Sequence, residues 1–92
     1  MVKIPNVKVS NMQGNAGNLV KNQFIIQTKD GLYFQSYNSM IAAKINGKVY
    51  LDKVYWDYSV TTGRYRNIFL RDTKKDTERK IKSGEYKLAD LN

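Results

Sequence analysis

The chain has no cysteine and no histidine. The first absence rules out a disulfide framework and thiol nucleophiles. The second removes imidazole general bases and Ser-His triads, and the two together remove nearly every structural zinc site. No apolar run approaches the roughly 20 residues that cross a bilayer. Walker A, GxGxxG and EF-hand patterns are missing as well. The opening MVKIPNVKVS alternates polar and apolar residues and lacks the apolar block of a signal peptide, so action in the cytoplasm is expected. Carboxylate-and-metal chemistry, or Lys, Tyr and Ser chemistry, is what remains. Asp52 and Asp57 are the acids a metal-dependent nuclease would use, but no further ligands of recognisable spacing accompany them. Neither catalysis, a cofactor nor a bound metal is expected.

Positive charge is what the chain has in excess. Sixteen Lys and Arg against eight acids leave a formal +8 on 92 residues. A field of that sign attracts phosphate polymers and acidic protein surfaces; it also keeps a small protein soluble. The excess is concentrated. Arg64–Lys82 holds eight cations and three acids, a net +5. Overlapping its start is YWDYSVTTGRYRNIFL, Tyr55–Leu70, with the only tryptophan and three of the seven tyrosines. Aromatic rings give contact area at low entropic cost, and guanidinium groups give planar, directional charge. The mixture suits binding. Arg64, Arg66 and Arg71 are candidates to pair with phosphates, and Tyr58 and Tyr65 to stack or position. Lys74, Lys75 and Arg79 extend the basic surface. Trp56 and Phe69 are expected in the core, because a small domain needs its largest side chains inside.

The length makes one domain, residues 1–92, with a single modest core. Val2–Val9 reads as an edge strand bulged near Pro5, and Ser10–Asn18, rich in Gly and Asn, as a flexible loop. Asn22–Thr28 and Leu32–Tyr37 make a hairpin about Lys29-Asp30-Gly31. In the second of these strands Leu32, Phe34 and Ser36 suit the core. Tyr33, Gln35 and Tyr37 take the other face, as a binding face or a wet one. After a bend at Asn38-Ser39, Met40–Ile45 and Lys48–Val54 flank Asn46-Gly47, a strong hairpin signal. The good helix formers of MIAAK offer a short helix instead; the strand is preferred.

Past Tyr55 two arrangements compete. In one, a helix starts at Ser59, Thr61 or Thr62 and puts Tyr65, Ile68 and Phe69 on one face, with Arg64, Arg66, Asn67 and Arg71 toward solvent or a partner. In the other, Tyr55–Ser59 and Arg64–Phe69 form a hairpin about Thr61-Thr62-Gly63. The helix is preferred. Thr73–Ser83 is a helix capped by Asp72 or Thr73, ended by Gly84, and nearly without an apolar face beyond Ile81. Glu85–Asn92 is a tail that Tyr86, Leu88 and Leu91 pin to the core. The expected fold is α+β, an antiparallel sheet of four or five strands followed by one or two C-terminal helices.

The segments NQFIIQT, YFQSYNSMIA, YWDYS and TTGRYRNIFL, with the tail KIKSGEYKLADLN, resemble a family of small uncharacterised proteins of bacteriophages and related mobile elements. The resemblance covers about two thirds of the chain. It implies a small accessory protein at work in a bacterial host cell, with no catalytic residue to carry over. Its partner would be nucleic acid or a host nucleoprotein complex. Alternatively it would inhibit a host defence nuclease by protein contact, in the manner of an anti-CRISPR.

Overall fold

The computed structural model describes residues 7–13 and 17–92. The fold is α+β. Five strands run as an antiparallel meander: β1 (Lys8–Gln13), β2 (Leu19–Thr28), β3 (Gly31–Ser36), β4 (Ser39–Ile45) and β5 (Lys48–Asp52). Two helices follow, α1 (Val60–Leu70) and α2 (Lys74–Ser83). A last strand, β6 (Tyr86–Ala89), then pairs with β5 in parallel. The sheet order is β1-β2-β3-β4-β5-β6. A parallel pair needs a crossover, and the helices supply it.

The turns have local causes. Asn46 and Gly47 both take positive φ, 52° and 76°, as a two-residue type I′ hairpin turn requires. Gly31, which starts β3, is demanded by a neighbour. A Cβ built there would overlap the Lys44 carbonyl oxygen of β4. The bend between β3 and β4 falls at Tyr37-Asn38, one residue earlier than expected, with Tyr37 at φ 55°. Its N–H donates to the Asn22 carbonyl at 2.7 Å. Tyr37 therefore leaves the row of Tyr33 and Gln35.

The core lies between one sheet face and the helices. Phe34, Ile41, Ala42 and Leu51 come from the strands, Phe69 and Leu70 from α1, Tyr86 from β6 and Met12 from β1. Phe34 and Phe69 stack at 5.8 Å. Trp56 and Ile81 pack against this cluster while half-buried.

Two further expectations change. Ser10–Gln13 belongs to β1 rather than to a loop. Its polar side chains sit at the sheet edge, where water is available, while Met12 turns inward and Asn11 donates to the Val20 carbonyl at 2.9 Å. The proposed bulge at Pro5 and the middle of the loop, residues 14–16, lie outside the described residues. The tail does more than pin, since Tyr86–Ala89 completes the sheet, though Leu88 stays 47% exposed.

Gly31→Ala should cost about 2–3 kcal/mol, because the neighbouring backbone cannot move aside without breaking its ladder. Urea unfolding measures this; a loss under about 0.5 kcal/mol would refute the close approach as the reason for glycine.

Candidate functional site

Residues 53–59 lead from β5 to α1, and Asp52 shapes them. Its carboxylate is buried and accepts from the Val54 and Tyr55 N–H groups at 3.0 and 2.9 Å through one oxygen, and from Leu91 N–H at 2.9 Å through the other. Burial pushes this carboxyl up; the N–H donors and Asn92 outweigh it and hold the carboxyl below the usual range. Asp52 thus acts as a structural hub that joins the 53–59 loop to the tail. Among the described residues no group of three or more acids is placed to hold an ion.

Ser59 caps α1: its hydroxyl accepts from Thr62 N–H at 3.1 Å. Thr62 then meets Ser36 of β3, hydroxyl to hydroxyl at 2.9 Å, fixing the helix start to the sheet. The buried stripe of α1 is Thr62, Gly63, Arg66, Phe69 and Leu70. That corrects the expected face in two places. Ile68 is 45% exposed, and Arg66, expected outside, is 1% exposed. Its guanidinium donates to the Trp56 carbonyl at 2.7 Å, to Asp57 at 3.1 Å and to Asn67 Oδ1 at 3.0 Å. It also lies over the indole of Trp56, 5.2 Å from the ring centroid. Arg66 thus organises the loop and is withdrawn from phosphate contact. Asp57 bridges onward to Lys74 at 2.9 Å. Burial raises the Asp57 carboxyl, but Lys74 and Arg66 together hold it below its ordinary range.

Above Arg66 lies an open groove of about 580 Å³, lined by Asp57, Ser59, Val60, Gly63, Arg64, Arg66, Asn67 and Lys74. It brings together three of the expected residues, Arg64, Arg66 and Lys74. Tyr58 is 60% exposed beside it, edge-on to Tyr55 at 5.8 Å. Tyr65 is half-buried against the core, so its ring is not free to stack. Arg71, Lys75 and Arg79 are exposed elsewhere on the helical layer; Arg71 ends α1 in a left-handed conformation, and Arg79 pairs with Asp76 at 3.3 Å.

At the far end of the layer a second cluster ties α2 to β6. Asp72 accepts from Lys80 at 2.9 Å and from the Tyr86 hydroxyl. Burial raises the Asp72 carboxyl, and these two donors outweigh that and lower it. Lys44 was not anticipated. Its ammonium donates to the Phe69 carbonyl at 2.6 Å, at the negative end of α1, and sits over the Phe69 ring at 4.6 Å. Burial first, and the charge of Arg71 second, lower its pKa. The one sequence cue was a lysine in an otherwise apolar inward row.

The model of DUF8033, a family of unknown function, matches residues 7–85. The chain belongs to this family. No curated protein and no solved structure matches it. The site in this DUF8033 protein is therefore read from its own geometry: a groove walled by α1 and the 53–59 loop, floored by a buried arginine, and rimmed by cations.

Asp52, Asp57 and Asp72 all have carboxyls lowered on folding. Their stabilisation is complete above the unfolded carboxyl range of about 4 and is lost as pH falls through the lower folded values. Acid unfolding should therefore set in below about pH 4. Asp52→Asn should cost about 3 kcal/mol at pH 7, since an amide cannot accept all three N–H bonds, and should flatten the acid limb. Chemical denaturation across pH 2–7 reads both effects; an unchanged acid limb in the variant would contradict the role given to Asp52.

Proposed function

We propose that this protein is a non-enzymatic binder of nucleic acid, or of a nucleic-acid-bound complex, that docks through its helical layer. The observation that supports this is the state of three cations there. Arg64, Arg71 and Lys75 are exposed and make no ion pair among the described residues. Lys74 and Arg79 stand near them but are partly neutralised by Asp57 and Asp76. Free, exposed cations on one layer are what phosphate contact uses. The setting we propose, from the resemblance of the sequence, is an accessory protein of a bacteriophage acting in the host cytoplasm.

A second reading, inhibition of a host defence nuclease by protein contact, draws on the exposed apolar groups at the groove. Val60 is 86% exposed and Tyr58 60%, next to Arg64. A tyrosine, an aliphatic side chain and an arginine together make a typical protein-contact cluster.

The triple substitution R64Q/R71Q/K75Q tests the first reading. Each phosphate contact adds about 0.9 to the slope of log affinity against log salt, so the variant's slope on duplex DNA should be shallower by about 2 to 3. Fluorescence anisotropy between 50 and 300 mM salt measures it. An unchanged slope would remove the helical layer as the docking surface.

A further inference from the structure

The helices cover one face of the sheet; the strand register lays out the other. Val9 pairs with Ile26, Ile26 with Tyr33, Tyr33 with Ala43, Ala43 with Tyr50 and Tyr50 with Lys87. Cross-strand partners share a face, so these positions form one row across all six strands. A second row on the same face holds Phe24, Gln35 and Met40, and a third holds Ile45 and Lys48. Phe24, Ile26, Tyr33 and Tyr50 are half-buried, and none of them packs against the core cluster. Ala43 is fully buried yet outside that cluster, because it lies between Tyr33 and Tyr50 in the row.

An antiparallel sheet with one covered face normally turns polar residues to the other. Here that face carries three aromatic rings, and the register gives them order. Tyr33 and Tyr50 stand two strands apart, about 10 Å at the backbone. Phe24 is on the diagonal from Tyr33, one strand over and two residues along. Unlike Tyr65, these half-buried rings do not pack into the core cluster, so part of their surface is left for a partner to contact.

The charge on this face has one accessible sign. Its charged strand positions are Lys48, Lys87 and Asp52. Both lysines are exposed, whereas the Asp52 carboxylate is buried and bonded to backbone N–H groups. We propose that this open face binds single-stranded nucleic acid, with bases stacked on Tyr33, Tyr50 and Phe24 and the backbone drawn along Lys48 and Lys87. Unstacked bases are what exposed rings can hold, and a duplex keeps its base faces hidden. A second copy of the chain fits less well. It would bring lysines against a facing sheet with no accessible carboxylate to pair with them. The proposal rests on the nucleic-acid reading for its class of ligand, but it uses a different surface from the helical layer.

Labelled 12-nucleotide oligo(dT) and oligo(U), and a 12-base-pair duplex, are titrated by anisotropy against three variants and the unaltered protein. Y33S/Y50S should bind the single strands at least about tenfold more weakly while holding the duplex unchanged. K48E/K87E changes only exposed side chains, so it keeps the fold; it should weaken single-strand binding at low salt and flatten its salt dependence. R64Q/R71Q/K75Q should affect the duplex chiefly. Absence of single-strand binding by the unaltered protein overturns the proposal. So does single-strand affinity within twofold of normal in both sheet variants, or a dimer in sedimentation that Y33S/Y50S dissolves. If the duplex is not bound at all while single strands depend on Tyr33 and Tyr50, the helical-layer reading falls and this one stands.

Discussion

A buried carboxylate holds this architecture together. Asp52 ends β5, and its two oxygens take N–H groups from both sides of the crossover: Val54 and Tyr55 leaving the strand, Leu91 after the return. Lys53 N–H reinforces the junction by donating to the Ala89 carbonyl at 2.8 Å. A parallel pair of strands joins chain segments far apart in sequence, and closing that loop costs entropy before any ladder bond repays it. The strand involved is only four residues long. A carboxylate that accepts from both ends of the crossover offsets that cost where a short ladder alone would be weak.

From that junction the helices are fixed by polar clamps rather than by an apolar stripe alone. Ser36 and Thr62 join the start of α1 to β3, and Lys44 closes its end against β4. Between them Arg66 holds the loop by two acceptors, the Trp56 carbonyl and Asp57, and bonds to Asn67 of its own helix. Asp72, Lys80 and Tyr86 then lock α2 to β6. Buried polar groups cost stability unless they are bonded, so each clamp is sensitive to geometry and favours one seating of the helices over sliding alternatives. The groove over Arg66 has its shape because that seating is fixed.

The parts of the fold that were legible in the sequence have local causes. Asn46-Gly47 needs positive φ at both positions and announces its hairpin. Thr73 and Asp76 form a capping box, and Gly84 ends the same helix in a left-handed conformation. What could not be read depends on tertiary partners. The stripe Thr62, Arg66, Phe69 and Leu70 follows helical spacing, but two of its members are polar. A template that buries apolar residues therefore shifts the buried face by a fraction of a turn and brings Ile68 inside in place of Arg66. Nothing local marks Arg66 for the interior; Trp56 and Asp57, ten and nine residues earlier, do so once the loop folds over it. The last strand was hidden for a similar reason. Tyr86–Ala89 is short, and it pairs with β5 across both helices.

The same clamps change what the net charge means. A formal +8 counts every cation as available. Arg66 is buried and bonded to the Trp56 carbonyl and Asp57, Lys44 is bonded to the end of α1, and Lys80 is bonded to Asp72. These three build the fold, and their fields are largely answered by neighbouring dipoles and carboxylates. Of the exposed cations, Arg64, Arg71 and Lys75 stand on the helical layer with few rings free to stack, whereas Lys48 and Lys87 border a sheet face rich in rings. Electrostatic attraction is screened within about 8 Å at physiological salt, whereas contact between rings and bases is not. In the nucleic-acid binding proposed for this protein, the helical layer would therefore govern how fast and at what ionic strength a polyanion is captured, and the sheet face, where contact area and stacking outlast the salt, would discriminate one kind of strand from another.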